Sequence, residues 1–166
     1  MRCAPPTDVR MVRFERILCP TDFSPLSLKA GNFARSIAEN YKATLHLLHV
    51  VDDAFQYWSA LGPHTLPVVP DVQEILAAAR QQMDRWKADL CGDSPQAVVT
   101  DVRSGQPFLE IIRYARDRSI DLIVLGTHGR SGLSHVLLGS VTERVVRKAP
   151  CPVLTVRDPS HKFEMP

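Results

Sequence analysis

The sequence predicts an α/β fold, an open parallel sheet of five strands with helices on both faces. Apolar, β-rich runs alternate with helical patterns along the chain, which is how βαβ units read in sequence. The run Thr44–Val51 is almost uniformly apolar apart from His46 and His49, as a strand covered on both faces must be. At 166 residues and 45% hydrophobic content, the chain suits one domain with a core that needs no stapling.

The first strand is Arg16–Pro20. Ser24-Pro25 then reads as an N-cap followed by proline at the first helical position, where the missing N–H costs nothing. The helix runs to about Tyr41 and buries Ala30, Phe33, Ala34, Ile37 and Ala38. Strand two is Thr44–Val51. Asp71 can cap a second helix, in which Val72, Ile75, Leu76, Ala79, Met83, Trp86 and Leu90 recur at three- and four-residue steps until Gly92.

Gln96–Arg103 is the third strand, and the Ser104-Gly105 turn leads into a helix through Ile111, Ile112 and Ala115. Asp121–Leu125 and Pro152–Val156 are strands four and five. The helix between them opens with Ser140-x-x-Glu143, the pattern of a capping box in which serine and glutamate satisfy backbone donors reciprocally. The irregular stretch Asp53–Pro70 carries Phe55, Tyr57, Trp58 and three prolines. It leaves the carboxyl end of strand two, the edge where open α/β sheets bind ligands, and is expected to cover part of a ligand there.

Charge excludes two classes of partner. A net charge of +2, a pI near 8.4 and the lack of a basic run give no surface for nucleic acid or for an anionic membrane. Cys3, Cys19, Cys91 and Cys151 have no C-x-x-C spacing, and no signal or bilayer-spanning segment is visible, so the reading is free thiols in a cytoplasmic protein. Residues 1–13 read as a flexible extension, 14–158 as the domain and 159–166 as a polar tail.

The chemistry gathers around Gly126-Thr127-His128-Gly129, nine residues, and then Gly139-Ser140. Glycines let backbone N–H groups approach a phosphate, and the first N–H groups of a helix have no intrahelical partners. The spacer is long enough to fold over an anion and short enough to return the chain to a helix N-terminus. Glycines that merely punctuate a surface loop are the competing reading.

This glycine pattern resembles the nucleotide-binding signature of the universal stress protein family, in its ATP-binding branch. Arg16-Ile17-Leu18-Cys19-Pro20-Thr21-Asp22-Phe23-Ser24, Leu47-Leu48-His49-Val50 and Lys148-Ala149-Pro150-Cys151-Pro152-Val153-Leu154 extend the resemblance in family order. It implies a Rossmann-like sheet in the order 3-2-1-4-5, so that strands one and four bound the ligand crevice from neighbouring positions.

The resemblance implies that Pro20, Thr21 and Asp22 arrive there from strand one, with Asp22 on the ribose, and that the backbone of Val50 meets the adenine. From the residues alone, Asp22 is equally a turn residue before Ser24, and Val50 is core. Gly126, Gly129, Gly139 and Ser140 are expected to form the phosphate cradle, with His128 as a binding contact. Arg130 adds a mobile charge or is simply solvated, and Ser140 and Thr142 offer hydroxyls to phosphate or to Mg2+ held mainly by the nucleotide. Leu125 and Val141 complete the candidate set.

No side chain is assigned to catalysis. His128 has no nucleophile with a base partner, so its role is a polar contact. His46 and His49 fall on opposite strand faces, and His64, His135 and His161 lack ligand spacing, so no protein metal site is expected. Walker and dinucleotide motifs are missing. The expected protein binds ATP with Mg2+ and forms a homodimer by pairing of the charge-free edge Val153–Val156. The alternatives are a slow ATPase, a nucleotidyl-transferring enzyme and a nucleotide-free dimeric scaffold.

Overall fold

The computed structural model describes residues 12–52, 71–92, 94, 97–127 and 139–157. The expected ligand cover at 53–70, the tail at 159–166 and all but the last two residues of the expected extension lie outside the described residues. In chain order the elements are β1 (Arg16–Thr21), α1 (Pro25–Tyr41), β2 (Thr44–Asp52), α2 (Val72–Cys91), β3 (Val98–Gly105), α3 (Pro107–Asp117), β4 (Leu122–Gly126), α4 (Ser140–Lys148) and β5 (Val153–Val156).

All five strands are parallel, in the order β3-β2-β1-β4-β5. Strand β1 is central, with Ile17 opposite Leu45 of β2 on one side and Leu122 of β4 on the other. Alternation along it sorts the core into two layers. Ile17 and Cys19 pack with Ala30, Ala34, Ala38, Met83, Trp86 and Leu90 of α1 and α2, while Leu18 packs with Ile111, Tyr114 and Val145 of α3 and α4. Small residues let α1 lie close to its neighbours: a Cβ at Gly31 would stand 3.0 Å from Leu90 Cδ1 and 3.1 Å from Trp86 Cη2.

The caps of α1 and α2 form as expected. Ser24 Oγ accepts from Ser27 N–H at 3.2 Å and Asp71 Oδ1 from Gln73 N–H at 3.3 Å. Asp121 falls just outside β4, and its carboxylate accepts the N–H groups of Glu15 and Arg16, both at 2.8 Å, fastening the start of β1. Strand β3 is displaced by two residues from the expected bounds, because its pairing with β2 continues to Asp52 opposite Gly105.

Three expectations need correction. Phe33 lies on the outer side of α1, 55% exposed, since Ala30, Ala34 and Ala38 already fill the face toward the sheet. Val72 is 40% exposed in the first turn of α2, and the buried stripe of that helix begins at Ala79. The capping box at α4 does not form. Glu143 N–H donates to Gly139 O at 2.9 Å, which makes Gly139 the N-cap and Ser140 the first helical residue, and the Glu143 carboxylate pairs with Arg147 at 3.0 Å. A glycine cap has no side-chain oxygen for the reciprocal bond.

Candidate functional site

The chain leaves β1 toward α1 on one face of the sheet and leaves β4 toward α4 on the other. The carboxyl ends of these adjacent strands therefore diverge into a crevice. A cavity of about 240 Å³ occupies it. Ten of the candidate residues line this cavity: Pro20, Thr21, Asp22, Val50, Leu125, Gly126, Gly139, Ser140, Val141 and Thr142. The other three, His128, Gly129 and Arg130, lie outside the described residues.

Ser27, Leu48, His49, Pro107 and Ile111 also line the cavity and were not legible as site residues. Ile111 and Leu48 read as core, which they also are. Pro107 starts α3 and reaches the site only because α3 packs across β2. Leu48 and His49 immediately precede Val50, so the extension of that strand toward the crevice was the available signal.

At the β1 end, a chain of hydroxyls fixes the turn. Ser27 Oγ donates to Ser24 O at 2.8 Å, which leaves Thr21 Oγ1 to donate to Ser27 Oγ at 3.0 Å and to accept Phe23 N–H at 2.9 Å. Asp22 Oδ1 accepts Ser24 N–H at 3.0 Å. Burial pushes the Asp22 carboxyl up, but hydrogen bonds from Ser24 and Ser27 outweigh it and hold the group below the usual carboxylate range. Asp22 is therefore an anion at neutral pH and an acceptor.

At the β4 end, backbone bonds join Thr127 to β5 and to Gly139. Thr127 N–H donates to Val156 O at 2.9 Å, and Gly139 N–H donates to Thr127 O at 2.7 Å, so Thr127 and Gly139 are tied to each other. Helix α4 starts at that tie. Its first intrahelical donor is Glu143 N–H, which leaves the N–H groups of Ser140, Val141 and Thr142 as anion donors at the positive end of the helix. Thr142 is buried and its hydroxyl donates to Gly126 O at 2.8 Å, bracing α4 against β4. Ser140 is exposed and lines the cavity.

The walls between these ends, Leu48, Val50, Ile111, Leu125 and Val141, are apolar. The arrangement can therefore take a ligand with a hydroxyl-bearing part, an apolar or aromatic part and an anionic part. Among the described residues no group of three His, Cys, Asp or Glu could hold a metal ion. A divalent cation at this site would depend on ligand oxygens.

The sequence profile of the universal stress protein family matches residues 13–157. The chain belongs to the universal stress protein family. Universal stress protein MJ0531 of Methanocaldococcus jannaschii is 35% identical to it over 150 residues, covering 88% of this chain and 84% of the relative. The solved structure of MJ0577, a universal stress protein of the same organism, superposes with a TM-score of 0.75 at 31% identity, covering 89% of this chain and 98% of that one. A universal stress protein solved in complex with cAMP superposes with a TM-score of 0.58 at 26% identity, covering 87% and 98%. The parallel five-stranded order of this universal stress protein is that of its structural relatives.

Proposed function

We propose that this universal stress protein binds an adenine nucleotide, ATP with Mg2+, in the crevice between β1 and β4, and that occupancy sets its state in a stress response. The observation that carries this reading is the pairing, in the lining of one cavity, of an ionised acceptor on Asp22 with the donor N–H groups of α4. A ribose suits the first, phosphates the second, and a flat base the apolar walls near Val50 and Ile111. The relative that binds cAMP supports a nucleotide with adenine, ribose and phosphate.

His128, Gly129 and Arg130 enter the proposal through the family signature alone, as further phosphate contacts. Mg2+ would sit on the phosphates near Ser140 and contribute charge neutralisation, since the described lining offers only Asp22 as a carboxylate, at the ribose end. In titration calorimetry, ATP with Mg2+ is expected to bind with a Kd on the order of micromolar, and ADP, AMP and cAMP with graded affinities. No heat from any of the four at millimolar concentration would overturn the reading and leave a nucleotide-free scaffold.

The proposal includes a homodimer and a cytoplasmic setting, in which Cys19, Cys91 and Cys151 stay reduced. Strand β5 is a sheet edge with no charged residue, and Leu154 on it is 38% exposed. Antiparallel pairing with its copy would cover that edge. Light scattering at tens of micromolar is expected to give the dimer mass for the parent and the monomer mass for Leu154→Arg; a monomeric parent would refute the pairing.

A further inference from the structure

Phe23 is a bulky residue held at φ 63°, in the left-handed region, between Asp22 in the cavity lining and the cap residue Ser24. Such a conformation persists only where its surroundings over-determine it. Three contacts do so. Phe23 N–H donates to Thr21 Oγ1; the Phe23 ring lies against the His49 ring at 4.3 Å between centroids, tilted 31°; and His49 Nδ1 stands 2.8 Å from Thr21 O.

The ring packs against the core layer of α1 and α2, while Asp22 lines the cavity on the other layer's side. The turn back at Phe23 brings Ser24 N–H to Asp22 Oδ1. Neighbouring residues thus divide the labour, one anchoring the turn and one presenting the acceptor.

We infer that Phe23 is a positioning residue that sets the discrimination of the site for nucleotides bearing sugar hydroxyls, by locking the turn that presents Asp22. The inference rests on the nucleotide reading above. Loss of the ring frees the turn to sample other φ values, which loosens the Ser24 bond and lets the carboxylate leave the sugar. Binding through the phosphates and the base does not pass through this turn, so it survives.

Phe23→Gly tests this, because glycine still admits φ 63° but, without the ring, is not held there. In calorimetry the parent is expected to prefer ATP over 2′,3′-dideoxy-ATP by roughly tenfold, the weight of a hydrogen bond to a charged acceptor. Phe23→Gly is expected to reduce that preference to about twofold and leave dideoxy-ATP affinity unchanged, and Phe23→Tyr to restore it. In the ligand-free protein, hydrogen exchange at the Ser24 amide accelerates in Phe23→Gly while β2 and β4 amides keep their protection.

A preference and a Ser24 exchange rate unchanged in Phe23→Gly, or equal weakening of both nucleotides, would overturn the positioning role. A parent that binds both nucleotides equally refutes the sugar contact and spares the nucleotide reading. A parent that binds neither refutes that reading and the sugar discrimination with it, while the exchange arm still decides whether the ring holds the turn.

Discussion

Ser140→Asp is expected to weaken ATP binding roughly 100-fold or more, because a carboxylate about 4 Å from a phosphate costs about 4 kcal/mol at an effective dielectric of 20. The same substitution leaves the fold intact. Ser140 is exposed at the first position of α4, where an acidic side chain favours the helix by about 0.3–1 kcal/mol. Loss of binding with an undiminished melting temperature therefore isolates the anion cradle from folding. Ser140→Ala removes only one donor and is expected to cost about tenfold. Equal ATP affinity in parent and Ser140→Asp by calorimetry would remove phosphates from α4.

The largest loss of stability is expected from Tyr114→Ala, about 3–5 kcal/mol by urea denaturation. Tyr114 is fully buried on α3, its hydroxyl is 2.9 Å from His46 Nδ1, and the Arg103 guanidinium stands 4.8 Å from its ring centroid. Tyr114→Phe keeps the ring and leaves His46 without this partner, at a cost of about 1–3 kcal/mol. A cost under about 1 kcal/mol for Tyr114→Ala would mean that α3 is not packed on the sheet through this residue.

The same pair adds a pH dependence to the stability. Burial, with the charges of Arg118 and Arg16, holds His46 below its ordinary value of 6.5. The unfolded chain then takes up a proton that the folded one resists, so stability falls as pH drops through 6.5 toward the lower folded value. Asp22, also held low, adds a further loss below its ordinary 3.8. The urea midpoint is expected to decline as pH is lowered through about 6.5 in the parent and to decline less in His46→Leu.

Most of the fold was legible because its signals are local. The apolar run of β2, the Ser24-Pro25 cap and the Asp71 cap each depend on a few adjacent residues, and the structure places them as read. Phe33 was misread because periodicity marks a helix stripe without its width, and a face lined by alanines leaves no space for a phenyl ring beside it. Ser140-x-x-Glu143 was misread because the tie between Thr127 and Gly139, which fixes where α4 starts, is a tertiary bond.

The candidate site divides in the same way. Asp22 and the spaced glycines stood out by residue type, whereas His49, Pro107 and Ile111 reach the cavity through packing of α3 and β2 that no short segment encodes. Thr142 carries a hydroxyl at a helix start, yet the structure commits its proton to Gly126 O, leaving its N–H and not its side chain as a donor. Phe23 carries no sequence mark of its left-handed conformation, which arises from Thr21 and His49 on two neighbouring strands.

The central claim is that an adenine nucleotide seats between β1 and the start of α4, and amide chemical-shift mapping of the labelled protein during an ATP–Mg2+ titration tests it most directly. The predicted result is a saturable set of shifts at Asp22, Val50, Gly126, Ser140, Val141 and Thr142, with the α2 amides unmoved. No shift at millimolar ATP, or shifts centred on α2 and away from these residues, would contradict it.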